Sequence, residues 1–323
     1  MPTMIGLRFD LRVPPFAATT HARQYAACLD ICEWADRAGF DGVAIPEHHG
    51  VEDGYLSSPV TLAAAIAART KRLRITIAAA LLPLHDPIRL AEQLATAALI
   101  GGNRVSIVAG LGYRPEEFEM AAVDRTQRGR LFDEYVGVLQ RAWTGEPFTW
   151  RGRRVRVTPK PETPPRIFVG GSTATAARRA VRLRCGFFPS VGDPELARIY
   201  REACAAAGFT GGFVAMPGGP GFVHVTDDPA RDWTRIAPHA LDDARAYRAW
   251  QTPGQRTEIH VAATTEEDVR TSGVYRVVTP EECVAIANEY GRIVLHPLMG
   301  GLDPDLGWAS LRLFADRVLP RLR

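Results

Sequence analysis

Short apolar segments alternate with longer amphipathic segments along almost the whole chain. The apolar segments have the length of strands and are bounded by glycine, proline or aspartate, whereas the amphipathic segments repeat with the period of a helix. Strands that are apolar on both faces are typical of a parallel sheet covered by helices. The predicted strands cover residues 4–11, 41–49, 73–83, 103–112, 166–171, 185–190, 221–226 and 292–298.

The amphipathic segments carry signals for helix boundaries. Ser58-Pro59 and Asp86-Pro87 each place a capping side chain before a first-turn proline, and Gly39 follows the first helix. The predicted helices cover residues 21–39, 58–71, 86–102, 128–145, 172–184, 193–208 and 307–320.

This alternation predicts an α/β protein with the (β/α)8 TIM barrel fold, formed as a single domain over residues 1–323. Two insertions interrupt the pattern. Residues 145–165 are expected to form a β-hairpin that turns at Gly152, and residues 227–290 form a long, mostly helical excursion. Insertions on the rim of a barrel usually cover the mouth of its active site.

Composition excludes several classes of protein. The net charge of +3 is too small to predict binding to nucleic acid. Five widely spaced cysteines do not form a disulfide framework. There is no signal-peptide pattern, and no apolar run approaches the ~18 residues of a membrane span. We therefore expect a cytoplasmic protein without a membrane segment.

Small residues occupy the carboxyl ends of three predicted strands. In a barrel these ends face the active site. Glycine and alanine let a large flat ligand approach the backbone closely, although a tight turn explains any one of them alone. Together they predict contacts with a planar cofactor at Ala78, Ala79, Ala80, Gly110 and Gly170.

A second signal follows the strand at 166–171. The segment "FVGGSTATAARRA" leads through two glycines into a helix whose predicted first turn carries Ser172, Thr173 and Thr175. Free N–H groups at a helix N-terminus bind phosphate well, so Gly171 and these hydroxyls are candidate phosphate ligands. Helix capping explains the same serine and threonines equally well.

Strand two ends in Glu47-His48-His49, where a buried strand would be apolar. Adjacent strand residues point to opposite faces, so only one imidazole would enter the mouth of a barrel. Acid–base or flavin-contacting chemistry suits imidazole near neutral pH. A structural role is the alternative. No HxH or HExxH spacing is present, so no metal site is predicted.

These features resemble the bacterial luciferase-like monooxygenase family, which consists of flavin-dependent (β/α)8 barrels. The resemblance rests on "AGFDGVAIPEHHG", on the "G-x-G-Y-x-x-x-E-F" segment after strand four, on "RGRLFDEYVGVLQRAWTGEPFTWRGRRV" and on "PRIFVGG". It implies a flavin-dependent monooxygenase that uses reduced FMN and O2 to oxygenate a small organic substrate. No dinucleotide-binding GxGxxG follows a strand, so a separate NAD(P)H:flavin reductase is expected as a partner.

The resemblance also implies roles for individual residues. His48 corresponds to the family's catalytic histidine beside the flavin. Ala78-Ala79 falls where luciferases place a non-proline cis peptide, forming a bulge against the flavin ring. Gly171, Ser172 and Thr175 fall on the phosphate-binding loop.

The chain departs from the family at one position. Luciferase places a phosphate-binding arginine at the end of strand four, and Ala109 stands there. Either another arginine replaces it, with Arg114 and Arg178 the nearest candidates along the chain, or the phosphate binds in a different place. The departure leaves open a hydride-transfer oxidoreductase that uses the deazaflavin coenzyme F-420. A non-catalytic flavin-binding protein is a further alternative.

Two expectations concern surfaces. The alanine-rich helices at 58–70 and 87–101 predict a homodimer, as is common in luciferase-like proteins, although tight packing within one chain fits the alanines too. The insertions are expected to form a lid, and its pocket would involve Trp233, His239, Tyr247 and Trp250 unless these serve only in helix packing.

Overall fold

Strands and helices alternate over most of the chain in the computed structural model, which describes residues 3–252, 256–257 and 261–323. The strands are β1 (Met4–Arg8), β2 (Gly42–Ile45), β3 (Arg74–Leu81), β4 (Val105–Gly110), β5 (Phe148–Trp150), β6 (Arg153–Val155), β7 (Arg166–Gly171), β8 (Gly186–Pro189), β9 (Phe222–Val225), β10 (Tyr275–Val278) and β11 (Arg292–Leu295).

Most helices begin with a cap or a first-turn proline, as the sequence predicts. Asp86 accepts hydrogen bonds from the N–H groups of Ile88 and Arg89, and Gly39 ends the first helix in the left-handed conformation at φ 90°. The helices are α1 (His21–Ala38), α2 (Pro59–Arg69), α3 (Pro87–Gly101), α4 (Pro115–Met120), α5 (Arg128–Ala142), α6 (Ala174–Arg182), α7 (Pro194–Ala206), α8 (Pro229–Trp250), α9 (Glu266–Thr271), α10 (Pro280–Tyr290) and α11 (Pro304–Arg317).

The chain divides into two compact units. The first comprises Met1–Ile45, Val51–Leu56 and Gly218–Arg323. Within it β1 pairs in parallel with β11 on one side and β2 on the other. A separate two-stranded parallel sheet joins β9 to β10. A buried apolar cluster that includes Phe222, Ile236 and Tyr275 packs this small sheet against α8.

The second unit comprises Pro46–Gly50 and Ser57–Pro217. Its strands pair in parallel in the order β3-β4-β7-β8. The central residues Ile107 and Val169 are buried, as expected for strands covered on both faces. The strands β5 and β6 form an antiparallel hairpin that turns through Gly152 at φ 73°, which confirms the hairpin predicted within 145–165.

Parallel strands with intervening helices confirm the α/β class. Closure into an eight-stranded barrel and a single domain over 1–323 stay predictions. Strand two was predicted too long: it ends at Ile45, because Pro46 has no N–H to continue the ladder. The predicted strand at 221–226 forms, but it pairs with β10 inside the supposedly helical excursion 227–290. Residues 253–255 and 258–260 of that excursion lie outside the described residues.

Candidate active site

Glu47 lies in the segment Pro46–Gly50 of the second unit and is fully buried. Its Oε2 accepts the backbone N–H of Leu81 at 2.7 Å, at the end of β3. Its Oε1 lies 2.9 Å from Nε2 of His49 and 2.7 Å from Nε2 of His85. One carboxylate therefore ties the segment Pro46–Gly50 to the end of β3 and to the segment that follows β3.

The surroundings of Glu47 set its charge. Burial alone would raise its pKa, but the hydrogen bonds from His49 and His85, aided by the N–H of Leu81, outweigh it and lower the pKa to about 2. The hydrogen bond to Glu47 in turn raises the pKa of His49. Glu47 is thus a fixed negative charge that holds structure around it.

These opposite shifts predict how stability depends on pH. The Glu47 carboxylate contributes fully above its ordinary pKa of 4.5, and the contribution is lost as pH falls toward 2. The His49 contribution is complete below its ordinary pKa of 6.5 and is lost as pH rises through the raised value. We expect the urea midpoint to peak between these limits and the peak to flatten in Glu47→Gln. Parallel pH profiles for the two proteins would contradict the assignment.

His48 is buried and held from both ring nitrogens. Its Nδ1 lies 2.8 Å from Oε1 of Glu117, and the hydroxyl of Tyr113 lies 3.3 Å from its Nε2. The ring of Tyr113 stands edge-on to the imidazole. Because an ionised carboxylate only accepts hydrogen bonds, Nδ1 carries a proton and donates it to Glu117. In the neutral imidazole Nε2 then has the lone pair, and this is the arrangement of a general base.

Glu117, on α4, is a functional candidate that was not predicted from the sequence. Besides His48, its Oε1 accepts the backbone N–H of His49 at 3.0 Å, and Nη1 of Arg114 lies at 3.5 Å. Its Oε2 is buried and makes no hydrogen bond with the described part of the chain. The signal was in the sequence, because Glu117 is the acidic residue of "G-x-G-Y-x-x-x-E-F".

Arg114 does not fit as the missing phosphate ligand. Its side chain is buried, and Nη1 donates to the carbonyl of His49 at 3.0 Å, so this arginine supports the histidine loop. The other candidate, Arg178, is exposed on α6.

The alanine run at the end of β3 has the backbone that the family resemblance implies. The Ala78–Ala79 peptide is cis, and the pairing of β3 with β4 shifts register between Ala78 and Ala80. Gly110 lies opposite this bulge, and a Cβ there would stand 2.9 Å from the Cβ of Ala79. The absence of a side chain at Gly110 is therefore needed for the close approach of β3 and β4.

The loop after β7 differs from its prediction in one respect. Helix α6 begins at Ala174, so Ser172 and Thr173 precede it, and Thr173 caps it by accepting the N–H of Ala176 at 3.2 Å. Thr175 lies exposed in the first turn. Gly171 has φ 150°, and a Cβ there would meet the Cβ of Ala176 at 2.8 Å. The Thr173 hydroxyl thus caps the helix as an acceptor, and its O–H can still donate, so Ser172, Thr173 and Thr175 all stay candidate phosphate ligands.

A flavin fits the second unit on two observations. At the ends of β3 and β4, Ala78, Ala79 and Gly110 are partly exposed, so a ring would meet backbone atoms and methyl groups there. The β7–α6 loop contains Gly171, which has no side chain, and leads into the N-terminus of α6, a helix of nine residues. Both features suit the binding of a phosphate group. Within residues 3–252, 256–257 and 261–323, no three metal-ligating side chains are grouped to hold an ion, and no helix is long and apolar enough to cross a bilayer.

Sequence relatives match parts of the chain. It is 34% identical over 139 residues to an uncharacterized protein of Mycobacterium tuberculosis, covering 42% of this chain and 48% of that one. It is 31% identical over 122 residues to 4-hydroxyprotoasukamycin monooxygenase of Streptomyces nodosus subsp. asukaensis, covering 38% and 33%. It is 24% identical over 199 residues to the oxygenase component of a flavin-dependent trigonelline monooxygenase of Acinetobacter baylyi, covering 57% and 55%. The chain thus spans about half the length, or less, of the first curated relatives it matches.

Solved structures match over the whole length. A monooxygenase from Streptomyces bottropensis superposes with a TM-score of 0.78 at 26% identity, covering 99% of this chain and all of that one. The oxygenating constituent of 3,6-diketocamphane monooxygenase from Pseudomonas putida, in complex with FMN, gives 0.71 at 20%, covering 99% of each. An F-420-dependent secondary alcohol dehydrogenase gives 0.71 at 16%, covering 100% of each. The family match extends over residues 9–296, and the chain therefore belongs to the luciferase-like monooxygenase family.

Proposed function

We propose that the protein is a flavin-dependent monooxygenase that uses reduced FMN and O2 to oxygenate a small organic substrate. One observation carries the proposal. His48, with its Nδ1 bound to Glu117, is tied through Glu47 to the end of β3, where the bulge at Ala78–Ala79 faces Gly110. The proposal assigns proton handling to this imidazole and the support of a planar ring to the alanine and glycine residues.

The chain's own residues would divide the work. Ala78, Ala79, Ala80 and Gly110 would support the ring, while Gly170, Gly171, Ser172, Thr173 and Thr175 would surround the phosphate. Reduced FMN, when bound, would supply the two electrons that activate O2. His48 would accept or return a proton at Nε2, and Glu117 would hold its ring in one tautomer. Tyr113 would steady Nε2 when no substrate is present.

The test is oxygen consumption by the purified chain with NADH and an added flavin reductase. Consumption should depend on FMN, on the reductase and on this protein together. The trigonelline enzyme's name, which specifies an oxygenase component, supports a separate reductase. Titration with FMN, reduced FMN and coenzyme F-420 should rank reduced FMN first. Tight flavin binding without any consumption across a substrate panel would instead indicate the non-catalytic alternative.

A second candidate function is hydride transfer with coenzyme F-420. Ala109 at the place of the family's phosphate-binding arginine favours it, because that change removes a cation expected for FMN. Preferential binding of F-420 over reduced FMN, with no oxygen consumption, would establish this function in place of the monooxygenase.

The phosphate loop gives a separate prediction. We expect Gly171→Leu to weaken FMN binding at least about tenfold, because the new side chain would meet Ala176 and distort the loop. Ser172→Ala removes one hydroxyl without that strain and should weaken FMN binding by a smaller factor. Riboflavin, which lacks the phosphate, is the control and should lose less affinity than FMN in both variants. Unchanged FMN affinity in Gly171→Leu would exclude this loop.

We further propose a homodimer in the cytoplasm. The alanines of α2 and α3, such as Ala63, Ala67 and Ala95, are buried within their own chain, so packing already explains them. The large apolar side chains exposed on these two helices are Leu99 and Ile100 at the end of α3, with 41% and 47% of their surface accessible. Light scattering at micromolar concentration should give a dimer mass, and Ile100→Glu should shift it toward the monomer. A wild-type monomer would refute the proposal.

A further inference from the structure

The first unit contains a buried polar network that the proposed chemistry does not use. Its centre is Arg12, whose Nε lies 2.6 Å from Asp53, Nη1 2.8 Å from Asp243 and Nη2 3.1 Å from Asp242. The guanidinium is 2% exposed and bonded to three carboxylates. A buried cation that binds a carboxylate at each of its three nitrogens holds its neighbours together.

Arg8, four residues earlier, is different. It is the last residue of β1, is partly exposed, and donates from Nη2 to the neutral hydroxyl of Tyr247 at 2.8 Å. Among the described residues no carboxylate lies within 4 Å of it, and its Nε and Nη1 have no hydrogen-bond partner. Tyr247, Tyr55, Asp243 and Asp10 outweigh the effect of burial and raise the pKa of Arg8, so the group stays charged.

Arg8 lies at the carboxyl end of β1, the end at which barrel strands carry their site residues. Leu7 pairs with Leu295 of the parallel strand β11, so Arg8 lies level with His296 at the edge where strands of this fold class present their site residues. Burial, followed by the positive charges of Arg8 and Arg12, lowers the pKa of His296 to about 3. This histidine is therefore neutral, and Arg8 is the cation at this position.

Two further aromatic side chains contact Tyr247, the partner of Arg8. The hydroxyl of Tyr55 lies 2.8 Å from that of Tyr247, and the ring of Trp250 stands edge-on to both at 5.9 Å and 5.3 Å. Tyr247 and Trp250 are partly exposed. Apolar ring faces beside a few polar donors are typical of sites for flat, mostly apolar small molecules.

The charges around Arg8 determine whether it would bind a carboxylate or a neutral carbonyl oxygen of a ligand. The network contains two arginines, Arg8 and Arg12, and more acidic than basic groups. The acidic groups are Asp10, Asp53, Asp242 and Asp243. A substrate carboxylate would face these acids at close range, whereas a neutral carbonyl oxygen would accept from Arg8 without that repulsion.

We propose that Arg8, with Tyr247 and Trp250, forms a recognition site for the carbonyl oxygen of a neutral, ring-containing substrate. The inference rests on the proposed function in that the ligand is taken to be the enzyme's substrate. Arg8 donates the hydrogen bonds, and the aromatic side chains contact the apolar ring.

The test measures binding of three probes of similar shape to the full-length, flavin-free chain by ligand-observed NMR. These are acetophenone, benzoate and ethylbenzene. Wild type should bind acetophenone most tightly. Arg8→Met should weaken acetophenone about fivefold or more and leave ethylbenzene unchanged, since a charged donor is lost and the apolar contacts remain. Equal acetophenone affinity in both proteins, or benzoate bound most tightly by wild type, would overturn the proposal.

Two variants separate recognition from a structural role. Tyr247→Phe removes the hydrogen bond between Tyr247 and Arg8 but keeps the charge, so acetophenone binding should persist. If Tyr247→Phe loses as much acetophenone affinity as Arg8→Met, the hydrogen bond between Arg8 and Tyr247 has only a structural role, and the proposal is wrong. If Arg8→Met does not fold, Arg8→Lys replaces it and should show a smaller but measurable loss. FMN titration of the same proteins tests the flavin function independently, since Arg8 variants should bind FMN as wild type does.

Discussion

Replacing His48 with alanine should abolish most turnover and leave the protein folded. A proton-transfer side chain typically contributes a factor of about 10² to 10⁴ in rate, and His48 has the geometry of such a group. The methyl group of alanine can neither accept a proton nor donate one. We expect FMN affinity to stay within a few-fold and the urea midpoint to change little. The measurement is reductase-coupled oxygen consumption alongside flavin titration of the same preparation.

The neighbouring histidine is the matched control. His49 donates its backbone N–H to Glu117 and its ring to Glu47, so its side chain supports the loop. His49→Ala should therefore lower stability more than it lowers the rate. Wild-type turnover in His48→Ala with the true substrate would show that Glu-His-His is only a structural loop.

Replacing Glu117 with alanine should cost both stability and rate. Its carboxylate is fully buried and accepts from His48 and from the backbone of His49, with Arg114 near. Removing it leaves these donors buried without that acceptor, which typically costs about 3 kcal/mol. The His48 ring would also lose the partner that fixes its tautomer, so the rate per folded molecule should fall.

The variants Glu117→Gln and Glu116→Ala separate the effect on stability from the effect on rate. Glutamine keeps the shape and an acceptor oxygen but loses the charge, so Glu117→Gln should be more stable than Glu117→Ala while its rate profile against pH shifts. Glu116, on the same helix, is 68% exposed in its side chain, and Glu116→Ala should leave both stability and rate near wild type. An unchanged pH profile in Glu117→Gln would remove Glu117 from the proton-handling role.

Local pattern predicted most elements because each strand and helix carries its own signal. The boundaries at Gly39, Asp86 and Gly152 follow from backbone chemistry that one or two residues determine. The pairing of strands that are distant in the sequence has no such local signal. The pairing of β9 with β10 joins strands about fifty residues apart, and four residues such as Tyr275–Val278 carry too short a pattern to stand out in a helical region.

The site was predicted unevenly for the same reason. His48 and the small residues at Ala78, Ala79 and Gly110 are anomalous within their own strands, so they could be identified locally. Glu117 lies on a short surface-like helix, where an acidic residue is ordinary, and only the fold brings it to 2.8 Å from His48. Arg114 was named as a candidate phosphate ligand because it is near Ala109 along the chain, whereas the structure shows it in contact with His49 and Glu117.

The carboxylate of Glu47 has an evolutionary consequence. It is shared by His49, His85 and the backbone of Leu81, so no one of these partners can change without altering the acceptor the others use. Contacting residues of this kind have strongly non-additive mutational effects. Positions 47, 49 and 85 should therefore covary among homologues, and a sequence that has lost one of the three polar side chains should have replaced the other two as well. Substitutions at these three positions would be rare and would occur together, whereas exposed positions elsewhere would accept single substitutions freely.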